Sequence, residues 1–271
     1  MELNLDTQKL IDTHAHLHMW QFKNDLEDVL KRTQELKFVL NVSTNMKDMP
    51  ETIKIAKRLS NTYCAIGVHP HDSKDALEHK ENYLDKIERL ATTSNKVIAI
   101  GEIGLDYFRN LSPVEVQKRV FADQLALAQK LDLPVILHIR DAYEDTYDIL
   151  SAFKTEKLRG IVHAFGSDEN WAKKFVKLGF KIGIGGPITY PKNEMLRRTV
   201  KIIGIENIVT ETDCPYLPPQ QFRGKRNEPI YVAYVVEELN KIFGKDVTEH
   251  VLSNVTQLFG LNNELLGVDA K

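Results

Sequence analysis

Short apolar runs rich in β-branched residues alternate along this chain with longer stretches whose apolar positions recur every three or four residues. The runs at 10–16, 37–44, 63–69, 97–105, 134–140, 160–165, 180–185 and 207–213 read as strands. Amphipathic patterns fall between them, among others at 25–35, 50–59, 82–93 and 114–131. In the last of these Val120, Leu127 and Leu131 recur at spacings of seven and four. Ser112-Pro113 ahead of it reads as an N-cap followed by proline at the first helical position. Strand–helix alternation implies a parallel sheet. About eight such units in 271 residues, with no GxGxxG after the first strand, predict a closed α/β barrel of the (β/α)8 TIM type. One domain is expected over 1–271. Apolar runs at 247–255 and 257–266 predict a helical packing segment at about 244–271.

Composition narrows the function classes. Charged residues make up 27% and hydrophobic residues 42%, ordinary for a globular protein, and the formal net charge is −2. That charge creates no global field for nucleic acid, so such a partner would need a local basic patch. No apolar run approaches the ~20 residues of a membrane span, and no signal-peptide pattern opens the chain. Two cysteines, Cys64 and Cys214, make no disulfide framework. The expectation is a cytoplasmic protein with no membrane and no obligate protein partner.

The chemistry sits at the strand ends, where a parallel barrel carries its active site. Asp12, His14 and His16 alternate along the first strand and so share a face. The fourth run holds Glu102, the fifth His138, the sixth His163 and the eighth Asp213. Imidazoles and carboxylates are costly within apolar strands unless paired or bound to metal. Four histidines and two carboxylates at the same end of several strands are not explained by packing. His14, His16, Glu102 and Asp213 could hold one ion, with Glu102 bridging to a second held by His138 and His163. Mixed nitrogen and oxygen ligation suits Zn, Mn, Fe, Co or Mg, and two such ions support hydrolysis. Asp213 is the candidate general base, with Glu102 as the bridge.

The motifs Asp12-x-His14-x-His16, GVHPHD at 67–72, GEIGLDY at 101–107, LPVILHIRDA at 133–142, VHAFG at 162–166, ETDCPYL at 211–217 and RGKRNEP at 223–229 occur in this order. Together they resemble the TatD family of metal-dependent deoxyribonucleases over nearly the whole chain. The resemblance implies a metal-dependent hydrolase barrel and a Mg- or Mn-dependent DNase, often a 3′→5′ exonuclease. It implies the same six ligands, His14, His16, Glu102, His138, His163 and Asp213. The expected cofactors are two divalent ions per chain, Mg or Mn for activity, with Zn, Fe, Co or Ni as alternatives. The chain departs from the family at Ala164-Phe165-Gly166-Ser167, where Cys-Phe-Ser/Thr-Gly is frequent, and at Cys214, where Ala is frequent.

The remaining polar residues carry two readings each. Asp12 and Glu211 are expected to accept ring N–H groups of the ligand histidines, or else to form buried ion pairs. His69 and His71 either donate to a substrate phosphate or fix the Gly-x-His-Pro-His turn. Arg140 either clamps a phosphate or pairs with Asp141, Glu144 or Asp106. Arg223, Lys225 and Arg226 form a basic loop after the eighth strand, expected to bind phosphate. Tyr107, Phe108, Tyr190 and Phe222 are candidate stacking platforms, and Cys214 has no base to activate it. The function expected is hydrolysis of phosphodiesters at single-stranded DNA ends by water activated between two metals. The alternative is a metal-dependent amidohydrolase or deacylase acting on a small molecule.

Overall fold

The computed structural model describes residues 5–155 and 157–261. Eight parallel strands run in sequential order: β1 Ile11–Ala15, β2 Phe38–Val42, β3 Thr62–Ile66, β4 Val97–Asp106, β5 Val135–Arg140, β6 Gly160–Val162, β7 Phe180–Ile184 and β8 Ile208–Thr210. The strands are buried almost throughout, because a parallel sheet is covered on both faces. The helices are α1 Leu26–Thr33, α2 Met49–Arg58, α3 Ser73–Glu78, α4 Tyr83–Thr93, α5 Val114–Leu131, α6 Tyr143–Ala152, α7 Glu169–Lys177, α8 Glu194–Ile203, α9 Val232–Phe243 and α10 Thr248–Phe259. This is the (β/α)8 TIM barrel that the periodicity predicts.

All eight strand expectations and the four named helices are found, with most ends shifted by one to three residues. β6 and β8 each end three residues early, where the backbone leaves the ladder before Ala164 and Asp213, both at positive φ (43° and 57°). Those turns lift the site residues out of the sheet. Ser112 does not cap α5. Pro113 occupies the cap position, while the Ser112 hydroxyl donates to the His71 carbonyl and accepts from the Lys74 N–H. The serine ties the β4–α5 loop to the loop after β3.

The barrel closes by a short seam between β1 and β8. Asp213 N–H donates to the His14 carbonyl and His16 N–H to the Cys214 carbonyl, each at 2.8 Å. Lower down, the Thr210 hydroxyl donates to Ile11 O (2.6 Å) and the Thr13 hydroxyl to Thr210 O (3.1 Å). At the other end of the barrel, α10 crosses the strand starts. Asn254 Nδ2 donates to the carbonyls of Ile205 and Ile208, and Phe259 stacks on Phe38. Within the expected packing segment Thr248–Phe259 is a helix that ends at Gly260, and the part of the segment beyond Leu261 lies outside the described residues. With the bottom sealed, the open end is the carboxyl end of the strands.

Candidate metal centre

At that open end lies a cavity of about 740 Å³, with His16, Glu102, His138, His163 and Asp213 in its lining. β1 brings in the first two nitrogens. His16 Nδ1 lies 2.7 Å from the Val42 carbonyl, which can only accept, so Nδ1 carries the proton and Nε2 keeps its lone pair. That Nε2 stands 3.1 Å from His14 Nε2. Glu102 Oε2 lies 3.5 and 3.6 Å from these nitrogens, and Asp213 Oδ1 lies 3.8 and 3.4 Å from them. Donors about 2.0–2.2 Å from a central ion stand about 3.3–3.6 Å apart in a tetrahedron, so this set fits a divalent cation.

The other oxygen of the same carboxylate faces a second set. Glu102 Oε1 lies 2.9 Å from His138 Nδ1 and 3.1 Å from His163 Nε2. Each of these rings turns its remaining nitrogen to a buried carboxylate. His138 Nε2 is 3.0 Å from Asp106 Oδ2, and His163 Nδ1 is 3.5 Å from Glu211 Oε1. A carboxylate behind an imidazole fixes its tautomer and raises its basicity toward a metal. Gly104 makes the arrangement of β4 around His138 possible. It has φ +140°, and a Cβ there would stand 3.0 Å from the His138 carbonyl carbon. Glu102 and Asp106, two residues to either side, thereby reach the two nitrogens of one ring.

Charge is concentrated here. Burial favours the neutral acid at Glu102, but His163, His69, His138 and His14 outweigh it and hold the carboxyl well below its usual range. Asp213 is likewise lowered: burial opposes ionisation, while His16, His163 and His14 stabilise the anion. His163 is raised well above the usual imidazole value, since Glu102 and Glu211 overcome the cost of burial. His14 is lowered by burial and by His163, whose ring stacks on it at 3.7 Å. Buried atoms without hydrogen-bond partners gather behind the cluster: His14 Nδ1, His163 Nδ1 and Glu211 Oε2. Such a cost is borne where a cation compensates it.

The six sequence-predicted ligands thus converge, and His69 joins them. His71 N–H donates to His69 Nδ1 (3.1 Å), so His69 Nε2 carries the proton. That nitrogen, 3.6 Å from Glu102 Oε1, is a donor and not a lone-pair ligand. His71 Nε2 is 2.8 Å from Asp106 Oδ2. Asp106 is the residue that strand-end reasoning misses. The signal was available, since Glu102, Gly104 and Asp106 alternate on one strand face.

Other placements differ from expectation. Asp12 meets no imidazole. Its oxygens accept from His14 N–H, Thr212 N–H and the Thr212 hydroxyl, drawing β1 to the residues after β8. Burial pushes its carboxyl up to about 8. Glu211 does approach an imidazole and also accepts from Ala164 N–H at 2.5 Å. The basic loop does not line the cavity. Arg226 is held by Asp25 (2.6 Å, both nitrogens) and Glu228 (2.8 Å), while Arg223 lies over Tyr190. Lys225 is exposed. Of the aromatic candidates, the Tyr107 hydroxyl donates to Asp145, Tyr190 donates to Pro218 O and Phe222 stacks on Tyr231. Phe108 alone of these stands open, 60% exposed, beneath the Arg140 guanidinium. Cys64 and Cys214 are buried, and burial pushes the Cys64 thiol up to about 12.

The chain is 37% identical over 258 residues to YabD, an uncharacterized metal-dependent hydrolase of Bacillus subtilis. That match covers 93% of this chain and all of the relative. It is 31% identical to the 3′-5′ ssDNA/RNA exonuclease TatD of Escherichia fergusonii, over 93% of this chain and all of that protein. The crystal structure of YjjV, the TatD homolog of Escherichia coli K12, superposes with a TM-score of 0.85 at 30% identity. It covers 94% of this chain and all of the other. The TatD related DNase family matches residues 11–260. A barrel of this shape, with this donor set and these relatives, is a metal-dependent hydrolase, and the chain belongs to the TatD related DNase family.

Proposed function

We propose that the protein hydrolyses phosphodiester bonds of DNA with two divalent ions, Mg or Mn, removing nucleotides from the 3′ end of single strands. The observation that carries this reading is the divided carboxylate of Glu102, one oxygen among His14, His16 and Asp213, the other against His138 and His163. When bound, a pair of divalent ions supplies a water of low pKa and offsets charge building on phosphate oxygens. His14, His16, Glu102 and Asp213 would hold one ion, and Glu102, His138 and His163 the other. Asp213, ionised and partly open to the cavity, accepts a proton from the attacking water. His69, with its Nε2–H aimed at the centre, donates to a phosphate or leaving oxygen. Asp106 and Glu211 keep His138 and His163 oriented. The name of the Escherichia fergusonii relative supports the choice of single-stranded nucleic acid. We place the protein in the cytoplasm, acting as one domain without an obligate partner. Among the described residues no helix is long and apolar enough to cross a membrane.

Hydrolysis of a small-molecule amide is the second reading. It is favoured by one observation, that Arg226 is committed to Asp25 and Glu228 and the basic loop leaves the cavity wall. End-labelled DNA, RNA and amide substrates, each incubated with Mg, Mn, Zn or EDTA beside Glu102→Ala, separate the two. Single-stranded DNA should shorten from its 3′ end with Mg or Mn and remain intact with EDTA or the variant. Protein that holds two ions by metal analysis and cleaves no phosphodiester would refute the nuclease reading.

A further inference from the structure

The cavity mouth has one basic wall, and it is not the one the basic loop would supply. Arg140 ends β5, two residues beyond His138, so both side chains leave the same face of the strand toward the mouth. Its neighbour across the ladder is Asp106. That carboxylate is turned to other partners: Oδ2 to His138 and His71, Oδ1 to the Arg109 N–H. Among the described residues Arg140 forms no ion pair, and its guanidinium carbon lies 3.9 Å from the centre of the exposed Phe108 ring. Arg109 is exposed at the same rim. The loop that carries Phe108 and Arg109 is tied at both ends. Gln117 Nε2 donates to Asp106 O and Ser112 O, and the Ser112 hydroxyl to His71 O. The backbone that carries Phe108 and Arg109 is therefore fixed beside the cavity, and among the described residues neither Arg140 nor Arg109 forms an ion pair through its guanidinium.

A guanidinium stacked on an aromatic face keeps its outer edge free for a bidentate contact to phosphate. Two residues of parallel strand span roughly 6.6 Å, the scale of one nucleotide step in an extended backbone. We propose that Arg140, seated on Phe108 and flanked by Arg109, is a subsite for the phosphodiester adjacent to the one cleaved. Phe108 then offers its free surface to the flanking base. This rests on the nuclease reading for the identity of its ligand, an oligonucleotide. It adds that a chain of at least two phosphates is recognised, and that the wall after β4 and β5, not the 223–226 loop, does so.

Binding without cleavage tests it apart from the reaction. A fluorescently labelled single-stranded hexanucleotide is titrated with protein in EDTA, and again with calcium, while anisotropy is followed over a range of salt. Arg140→Gln should weaken binding roughly ten- to a hundred-fold. It should also lower the slope of log K against log salt by about 0.7, the share of one phosphate contact on a single strand. Arg140→Lys should restore the slope but only part of the affinity, and Phe108→Ala should weaken binding with the slope intact. Circular dichroism confirms that each variant is folded. An unchanged slope in folded Arg140→Gln, or no wild-type binding in either buffer, overturns the subsite. Binding that behaves as described in a protein that cleaves no DNA would leave the subsite standing and remove the nuclease reading.

Discussion

Gly183 and Glu211 offer a direct test of how tightly the carboxylate behind His163 is held in place. Glu211 is fully buried, and its carboxylate occupies the space a side chain at position 183 would need. A Cβ there would stand 2.8 Å from Glu211 Cδ and 3.1 Å from Oε1. The carboxylate can yield only by leaving the Ala164 N–H, 2.5 Å away, and by withdrawing from His163 Nδ1. Loss of a charge-assisted hydrogen bond costs about 1.5–3 kcal/mol, and overpacking costs about 1–3 kcal/mol. One movement causes both, so they do not add, and Gly183→Ala should cost about 2–3 kcal/mol. Glu211→Ala is destabilising in its own right but removes the obstacle. In that background Gly183→Ala should cost less than about 0.5 kcal/mol, a coupling near 2 kcal/mol. Urea unfolding of the four proteins in EDTA measures the cycle, provided the m-values agree. Equal cost of Gly183→Ala in both backgrounds would refute the placing of the Glu211 carboxylate against Gly183.

Asp106→Asn should leave the fold intact while lowering affinity for one ion about 10- to 100-fold, since His138 loses the carboxylate behind it. Calorimetric titration with Mn would then show one tight and one weak ion, and two tight ions would contradict that role. The Arg226–Asp25 pair is structural, so Asp25→Asn should cost under about 1 kcal/mol near neutral pH, both partners being partly exposed. Arg226 holds the Asp25 carboxyl below its ordinary 3.8, so this contribution is complete above that value. It fades as pH falls through the lower folded-state value. The stability gap between wild type and variant should therefore close in acid. A gap that persists in strong acid, read by urea unfolding, would show another origin.

The barrel was legible because eight β-branched runs keep their spacing, and because a parallel sheet buries its strands so thoroughly that pattern alone marks them. Helix α9 is harder to read. Val232, Val235 and Val236 favour strand locally, and only the spacing of these and Leu239 marks the face it buries. The convergence of the six candidate ligands was legible for a related reason, as charge at the ends of apolar strands has few explanations. What supports them was not. Asp12 and Glu211 lie on the same strand parity and both accept backbone N–H groups, yet only Glu211 also approaches an imidazole, because His163 lies beside it and among the described residues no ring lies beside Asp12. The role given to Arg226 failed because its counter-ion Asp25 lies 201 residues away. No local pattern reports that neighbour, whereas Arg140 has Asp141, Glu144 and Asp106 close in sequence or across the ladder and among the described residues pairs with none of them.

The seam between β1 and the residues after β8 also sets the order in which competence can arise. Two donors of the first cluster come from residues 14 and 16 and another from residue 213, across the bonds that join the ends of the barrel. Closing so long a loop is entropically costly, and only contacts made in its last stage offset it. Strands β2 to β7 can pair without it, but the first cluster cannot form until the ring is complete. Partly folded or prematurely shortened chains therefore carry His14 and His16 without Asp213, and the first cluster is complete only when the barrel is.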